Sequence, residues 1–187
     1  DWGDGGVPED ARIYAAMVHM NDRQIGEILE MLDEFGLAGN TIVFVSGDNG
    51  GKRYFGNFFD PNRQFRGEKG LLYEGGLRVQ YIVRWPGQIA PGSVSDHLGY
   101  FPDVFPTLAE LAGVSIPAGI DGISFVPSLL GEEKAGRRQE QHPYLYWEYN
   151  GATAVRLGDW KAVRPAPRRG VAAGPFHGQQ PAAGLHV

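Results

Sequence analysis

"EMLDEFGLAGNTIVFVSGDNG" occupies residues 30–50, and three kinds of local order follow one another in it. Its first residues close a long amphipathic pattern. Upstream, Ile13, Met17, Met20, Ile28, Met31 and Phe35 recur at spacings near three or four, and Ile25, Leu29 and Leu32 widen the stripe. The spacing predicts a helix over 9–35, with Pro8 suited to its start and Gly36 to its stop. Glu27, Glu30, Asp33 and Glu34 fall on its solvated side. "TIVFV" at 41–45 is too short for a helix with a stripe of its own. Its β-branched content predicts a strand buried on both faces, as in a parallel sheet. The strand then ends in an Asp-Asn pair set between glycines.

In α/β sheets, ligands collect beyond the carboxyl ends of the strands. Asp48 and Asn49 lie at such an end. A carboxylate and an amide carbonyl are hard oxygen donors, suited to Ca²⁺ or Mg²⁺ rather than zinc or copper. Gly47, Gly50 and Gly51 would let the backbone turn sharply and admit an anionic ligand closely. Asp-Asn-Gly is equally good chemistry for a plain turn after a strand. Two ligands also fall short of the roughly six oxygens that a hard cation takes.

The chain has 187 residues, enough for one domain with a real core. Hydrophobic residues make up 42% and charged residues 21%, the proportions of a globular protein. The net charge of −5 and the absence of a basic run argue against a nucleic-acid partner. No apolar stretch reaches the roughly 20 residues that span a bilayer. "DWGDGGVPED" is no signal peptide, and with no initiator Met it suggests a fragment or a processed chain. Cysteine is absent, which excludes disulfides, thiolate metal sites and Cys nucleophiles.

Further along, residues 47–76 form a glycine-rich stretch of the length that is usually functional or disordered. Tyr54, Phe55, Phe58, Phe59 and Phe65 argue against disorder. "VQYIVRWP" at 79–86 predicts a second strand. Residues 102–112 predict a helix, with Ser95, Pro102 and Asp103 as start signals and Gly113 as its end. "ISFVPSLLG" at 123–131 suggests a short helix, and "PYLYWEYN", "TAVRLGD" and "WKAVR" an antiparallel meander. From Arg164 onward Pro, Gly and Ala occur without period, as in a flexible tail. The expected class is α/β, a partial sheet sandwiched by helices with a small antiparallel C-terminal meander. The corresponding division is 1–140, 141–163 and a tail over 164–187.

Lys69 stands between Gly67 and Gly70 in "RGEKGLLYEGG" at 66–76, close to Arg66. A lysine among glycines can present its ammonium to an oxyanion; taken alone it also reads as a surface lysine in a loop. The phosphate-loop pattern Gly-x-x-x-x-Gly-Lys-Ser/Thr is absent. His19, His97, His142, His177 and His186 show no metal-ligand spacing. His19 reads as a surface or core-edge residue of the helix, and His97 as a weak site candidate. "SIPAG" at 115–119 superficially approaches a Ser-x-Pro-x-Arg motif, but Gly119 takes the place of the Arg, so it reads as a loop.

Taken together, "YAAMVHMNDRQIGEILEMLDEFGLAGNTIVFVSGDNG", "RGEKGLLYEGGLRVQYIVRWPGQIAPGSVSDH" and "FPDVFPTLAELAGVSIPAGIDGISFVPSLLG" resemble the sulfatase family of the alkaline-phosphatase-like superfamily, in the family's order. The resemblance covers roughly residues 10–163. It implies a partial alkaline-phosphatase-like sheet and a sulfate-ester substrate. It implies that Asp48 and Asn49 are two ligands of a divalent cation, usually Ca²⁺ with Mg²⁺ as the alternative, and that Lys69 contacts the sulfate as a catalytic and substrate-binding group. It also suggests a periplasmic or extracellular location. The family's nucleophile is a formylglycine made in a Cys/Ser-x-Pro-x-Arg motif of the N-terminal half, and that motif is missing here. The chain therefore looks like the C-terminal part of an arylsulfatase-like enzyme, inactive alone and leaving apolar surface uncovered. The rival readings are a phosphodiesterase or phosphonate hydrolase of the same superfamily, and a non-catalytic scaffold that binds an anion or a partner.

Overall fold

The computed structural model describes residues 8–54, 58–167 and the backbone of 177–179. Contacts divide the chain into two compact units, 1–87 and 88–187. Both are mixed α/β, with small antiparallel sheets flanked by helices. The division at 87 lies well before the boundary at 140 that the sequence suggests.

In the first unit, helix α1 (Glu9–Glu34) starts after Pro8 and stops before Gly36, whose φ of +66° suits glycine. The sequence places these ends correctly. The principal face is another matter. Ile13, Met17, Met20, Ile28, Met31 and Phe35 are all exposed, Phe35 at 72%. Ile25, Leu29 and Leu32, which the stripe reading treats as its margin, are the half-buried residues. The helix is apolar on more than one face, and its periodicity cannot say which face meets neighbours. The exposed row agrees with the expectation of uncovered apolar surface.

Strands β1 (Val43–Ser46) and β2 (Tyr81–Arg84) pair antiparallel, Val43 opposite Arg84 and Ser46 opposite Tyr81. This corrects the expectation of a fully buried parallel strand, since β1 is only half-buried and its end is exposed. A short apolar run carries no information on the direction of its partner. Arg84 reaches back to Asp33 of α1 at 3.1 Å, and Trp85 Nε1–H donates to Gly39 O at 3.1 Å. Between the strands the glycine-rich stretch contains a short helix, α2 (Glu74–Leu77), which the sequence reading misses.

In the second unit, a single 3₁₀ turn at Phe101–Asp103 leads into α3 (Val104–Leu111), followed by α4 (Val126–Leu130) and α5 (Glu132–Ala135). The helix expected over 102–112 and the short one within 123–131 are present, and Gly113 ends α3 at a φ of +67°. Asp103 is wholly buried. Its Oδ1 accepts the Ile123 N–H and lies 2.8 Å from His142 Nε2, while Oδ2 accepts the Tyr100 N–H at 3.0 Å. The Thr107 hydroxyl donates to Asp103 O at 2.7 Å and accepts the Phe125 N–H at 2.9 Å. One buried carboxylate thus joins the start of α3, the approach to α4 and the segment before the meander. His97 lies nearby, its ring packed against Phe125. Burial pushes its pKa below the usual histidine value, and the Asp103 carboxylate opposes that shift.

The expected meander is there: β3 (Leu145–Tyr149), β4 (Ala152–Leu157) and β5 (Trp160–Arg164) pair in order, antiparallel. Asn150 and Gly151, both at positive φ, make the tight β3–β4 turn. Leu145, Ala154 and Val163 are its buried apolar residues. Lys161 is buried too, with its ammonium 4.8 Å from the Trp147 ring centre. A fourth strand, β6 (His177–Gln179), pairs antiparallel with β5. The expected tail therefore contains a strand; residues 168–176 and 180–187 lie outside the described residues.

Candidate functional site

The site begins where β1 ends. Ser46 Oγ lies 2.9 Å from both the Gly47 and the Gln80 carbonyl oxygens, so its hydroxyl can tether the strand end to the approach to β2. The chain then turns through Asp48 and Asn49 and docks on the 66–76 loop. Gly50 N–H donates to Gly76 O at 3.0 Å, Lys69 N–H to Gly51 O at 3.1 Å and Gly75 N–H to Arg66 O at 2.8 Å. The "GDNG" turn and the "RGEKG" loop are thus linked by main-chain hydrogen bonds.

The glycines explain why the approach is so close. A Cβ on Gly50 would sit 2.0 Å from Gly75 O, one on Gly75 2.4 Å from Gly67 O, and one on Gly76 2.0 Å from Leu71 O. Each obstacle is backbone, which cannot swing aside. Gly50→Ala is therefore expected to push the turn off α2 and destabilise the first unit by about 1–3 kcal/mol, the usual cost of overpacking. Amide exchange at Gly50 and Lys69 checks this; unchanged protection would contradict it.

Charged side chains around the loop are mostly committed. Lys52 pairs with Glu68, and the Arg53 N–H donates to the second Glu68 oxygen at 2.8 Å. The Lys52 hydrogen bond and then the Arg53 N–H hold the Glu68 carboxyl below its usual pKa. Arg66 stacks over Tyr73 at 4.1 Å; Arg78 pairs with Glu74 at 2.7 Å and stacks over Phe65. Asp48 and Lys69 are different. Both are exposed, and neither side chain has a hydrogen-bond or ion-pair partner among the described residues. Asn49 is half-buried beside Asp48. The sequence-derived candidates thus sit on two loops that the backbone joins, and the carboxylate and the ammonium remain available to a ligand.

Nothing in "DPNRQ" singles out Asn62, yet it is the polar side chain at the centre of the junction, only 5% exposed. Its Oδ1 accepts the Gly51 N–H at 2.9 Å, and its Nδ2 donates to Gly51 O at 2.8 Å and Gly67 O at 3.1 Å. The other candidates stay apart. His19 is exposed on α1, "SIPAG" is an exposed loop, and His177 and His186 lie where side chains are not described. His97 and His142 belong to the Asp103 cluster of the second unit.

For a divalent cation, the donor chemistry of Asp48 and Asn49 fits, but the number does not. Among the described residues no group of three or more His, Cys, Asp or Glu could hold a metal ion. Asp48 and Asn49 together offer fewer oxygens than the roughly six that a hard cation takes. Among the described residues, no helix is long and apolar enough to cross a membrane.

The sulfatase family profile matches residues 6–114. Steryl-sulfatase of Rattus norvegicus is 38% identical over 176 residues, covering 82% of this chain and 28% of its own. N-acetylgalactosamine-6-sulfatase of Homo sapiens is 36% identical over 152 residues, covering 80% and 28%. Arylsulfatase A of Bos taurus is 36% identical over 147 residues, covering 75% and 28%. The chain thus spans little more than a quarter of these relatives' length. Among solved structures, Ps i-CgsB in complex with k-i-k-neocarrahexaose superposes with a TM-score of 0.72 at 25% identity, over 94% of this chain and 38% of that one. BT4656 in complex with its substrate D-glucosamine-2-N,6-O-disulfate gives a TM-score of 0.62 at 29% identity, over 82% and 31%. With the family profile spanning more than half of its residues and relatives above 35% identity, this chain belongs to the sulfatase family.

Proposed function

We propose that this chain is the C-terminal part of a sulfuric-ester hydrolase, and that it supplies the cation-side and lysine-side contacts to the sulfate group. The observation that carries this reading is the junction of the two loops, which leaves Asp48 and Lys69 uncommitted while Lys52, Arg66, Glu68, Glu74 and Arg78 are paired or stacked. Asp48 and Asn49 would offer one carboxylate and one amide oxygen to Ca²⁺ or Mg²⁺. Such a cation, when bound, supplies Lewis-acid stabilisation of charge on the sulfate oxygens. Lys69 would hold the same anion as a point charge. The remaining cation ligands and the formylglycine nucleophile would come from the rest of the parent domain, so the chain alone is inactive. Relatives named for steryl and N-acetylgalactosamine-6-sulfate esters support a sulfate ester as substrate.

Calorimetric titration with Ca²⁺ tests the cation assignment. One carboxylate and one amide carry a single negative charge, too little to displace much of a divalent cation's water. The chain alone is expected to bind in roughly the millimolar range of weak extracellular sites. Restoring the rest of the domain should tighten binding greatly. Asp48→Ala should remove most of that gain, and Asn49→Ala less, because water replaces a neutral ligand more readily than a charged one. Micromolar binding by the chain alone, insensitive to Asp48→Ala, would place the site elsewhere.

A further inference from the structure

We propose that Asn62 is a positioning residue that sets the distance between the cation-binding turn and the sulfate-binding lysine. This rests on the functional reading above and adds a residue to it. A carboxamide has two N–H donors and an oxygen acceptor. Asn62 directs all three at main chain: one donor and the acceptor close a ring with both polar groups of Gly51, and the other donor reaches Gly67 O. Gly51 follows the Asp48–Asn49 pair by two residues, and Gly67 precedes Lys69 by two. The side chain therefore grips each loop next to its functional residue.

The other direct bond at this point is Lys69 N–H to Gly51 O, at 3.1 Å. Gly51 O thus accepts from both Lys69 and Asn62, using both of its lone-pair directions. Burial keeps water from competing for these bonds. Pro61 packs beneath: a Cβ on Gly51 would lie 2.5 Å from Pro61 Cβ, so the turn rests directly on the Pro61–Asn62 segment. Two ligand-binding loops that share one buried clamp behave as one preorganised surface, and the loops of a site must be held to about half an ångström to act together. Asn62 touches neither cation nor sulfate in this scheme; it acts through the backbone of Gly51 and Gly67.

The consequence is a coupling between ligands. A cation at Asp48–Asn49 and an ammonium at Lys69 that face one anion should make Ca²⁺ and a sulfate ester bind cooperatively. The test uses the full 187-residue chain, with Ca²⁺ and an aryl sulfate as probes, followed by amide NMR shifts at Asn49 and Lys69. In the unaltered chain, saturating Ca²⁺ is expected to tighten the aryl sulfate by about 5-fold or more, the low end of measured couplings. Asn62→Asp keeps the acceptor for the Gly51 N–H and loses both donors. It turns an oxygen toward the Gly51 and Gly67 carbonyls in place of the two donors, and should abolish the coupling, with Ca²⁺ affinity read separately from the Asn49 shifts. Asn62→Ala should abolish the coupling and also loosen the turn, seen as faster exchange at Gly51.

A coupling that survives in both variants overturns the assignment of Asn62. So does loss of the folded first unit in both, which would make Asn62 a folding residue instead. If the unaltered chain shows no shift at Asn49 with Ca²⁺ and none at Lys69 with the aryl sulfate, the functional reading itself falls, and Asn62 has nothing to position.

Discussion

Asp103→Ala is expected to destabilise the second unit by about 3–5 kcal/mol, the combined cost of several buried groups left without a partner at roughly 1–3 kcal/mol each. The carboxylate is wholly buried and receives the Tyr100 N–H, the Ile123 N–H and the His142 ring. Alanine would strand all three in a space that excludes water, and each orphaned group keeps its desolvation penalty. The loss reaches beyond one helix end. Tyr100 precedes α3, Ile123 leads to α4 and His142 precedes β3, so the carboxylate is where three segments distant in sequence agree on a position. Gly122 makes the fit tighter still, since a Cβ there would lie 2.1 Å from Pro102 O.

Asp103→Asn separates the charge from the hydrogen bonds. The amide has nearly the same shape and can accept at one oxygen, but its NH₂ would face a backbone N–H in place of the second oxygen. A cost of about 1–3 kcal/mol is expected, the penalty of an unsatisfied buried group. Urea unfolding followed at Trp147 and Trp160, with exchange of the β4 amides as a local check, gives both values. With an m-value of roughly 1–3 kcal/mol/M, the alanine variant should unfold at a midpoint lower by about 1–5 M. Equal costs for the two variants would mean that the carboxylate, lost in both, and not the shape that asparagine keeps, holds this junction.

Legibility from sequence followed the range of the interaction. Pro8 and Gly36 bound α1 because start and stop chemistry is local, and the same holds for Gly113 after α3. The β3–β5 meander was readable because turn residues recur between short β-branched runs. The direction of the β1–β2 pairing was not, since both run patterns suit either neighbour. Nor was the inward face of α1: Met17 and Leu29 are equally apolar, yet one is exposed and the other half-buried. Asp48, Asn49 and Lys69 stood out as candidates by side-chain type and by resemblance, and main-chain bonds join the loops that carry them. Asn62 did not, because its role is to hold the main chain of residues that are themselves glycines. Asp103 and His142 stand 39 residues apart, and the sequence carries no mark of their partnership.

Lys69→Ala carries the largest expected effect on activity. In an active sulfatase that contains this segment, it should lower kcat/KM by about 10²–10³, as losing one preorganised charge-stabilising donor does. As the S–O bond breaks, negative charge moves onto the leaving oxygen and the sulfate oxygens redistribute theirs. A fixed ammonium is worth more to that distribution than to the ground state only if it is already in place, and the main-chain bond from Lys69 N–H to Gly51 O is what would fix its base. The chain alone has no nucleophile, so the effect on turnover belongs to the assembled domain. Lys69→Arg should recover little, because the broader guanidinium cannot occupy a point-charge position between glycines. The chain alone should turn over no aryl sulfate with or without Lys69, since it has no cysteine and no Cys/Ser-x-Pro-x-Arg motif from which a formylglycine could be made. Turnover by the pure chain that disappears in Lys69→Ala would show that a nucleophile lies within these residues. An active parent indifferent to Lys69→Ala would leave the lysine a surface residue and favour a scaffold role for the loop.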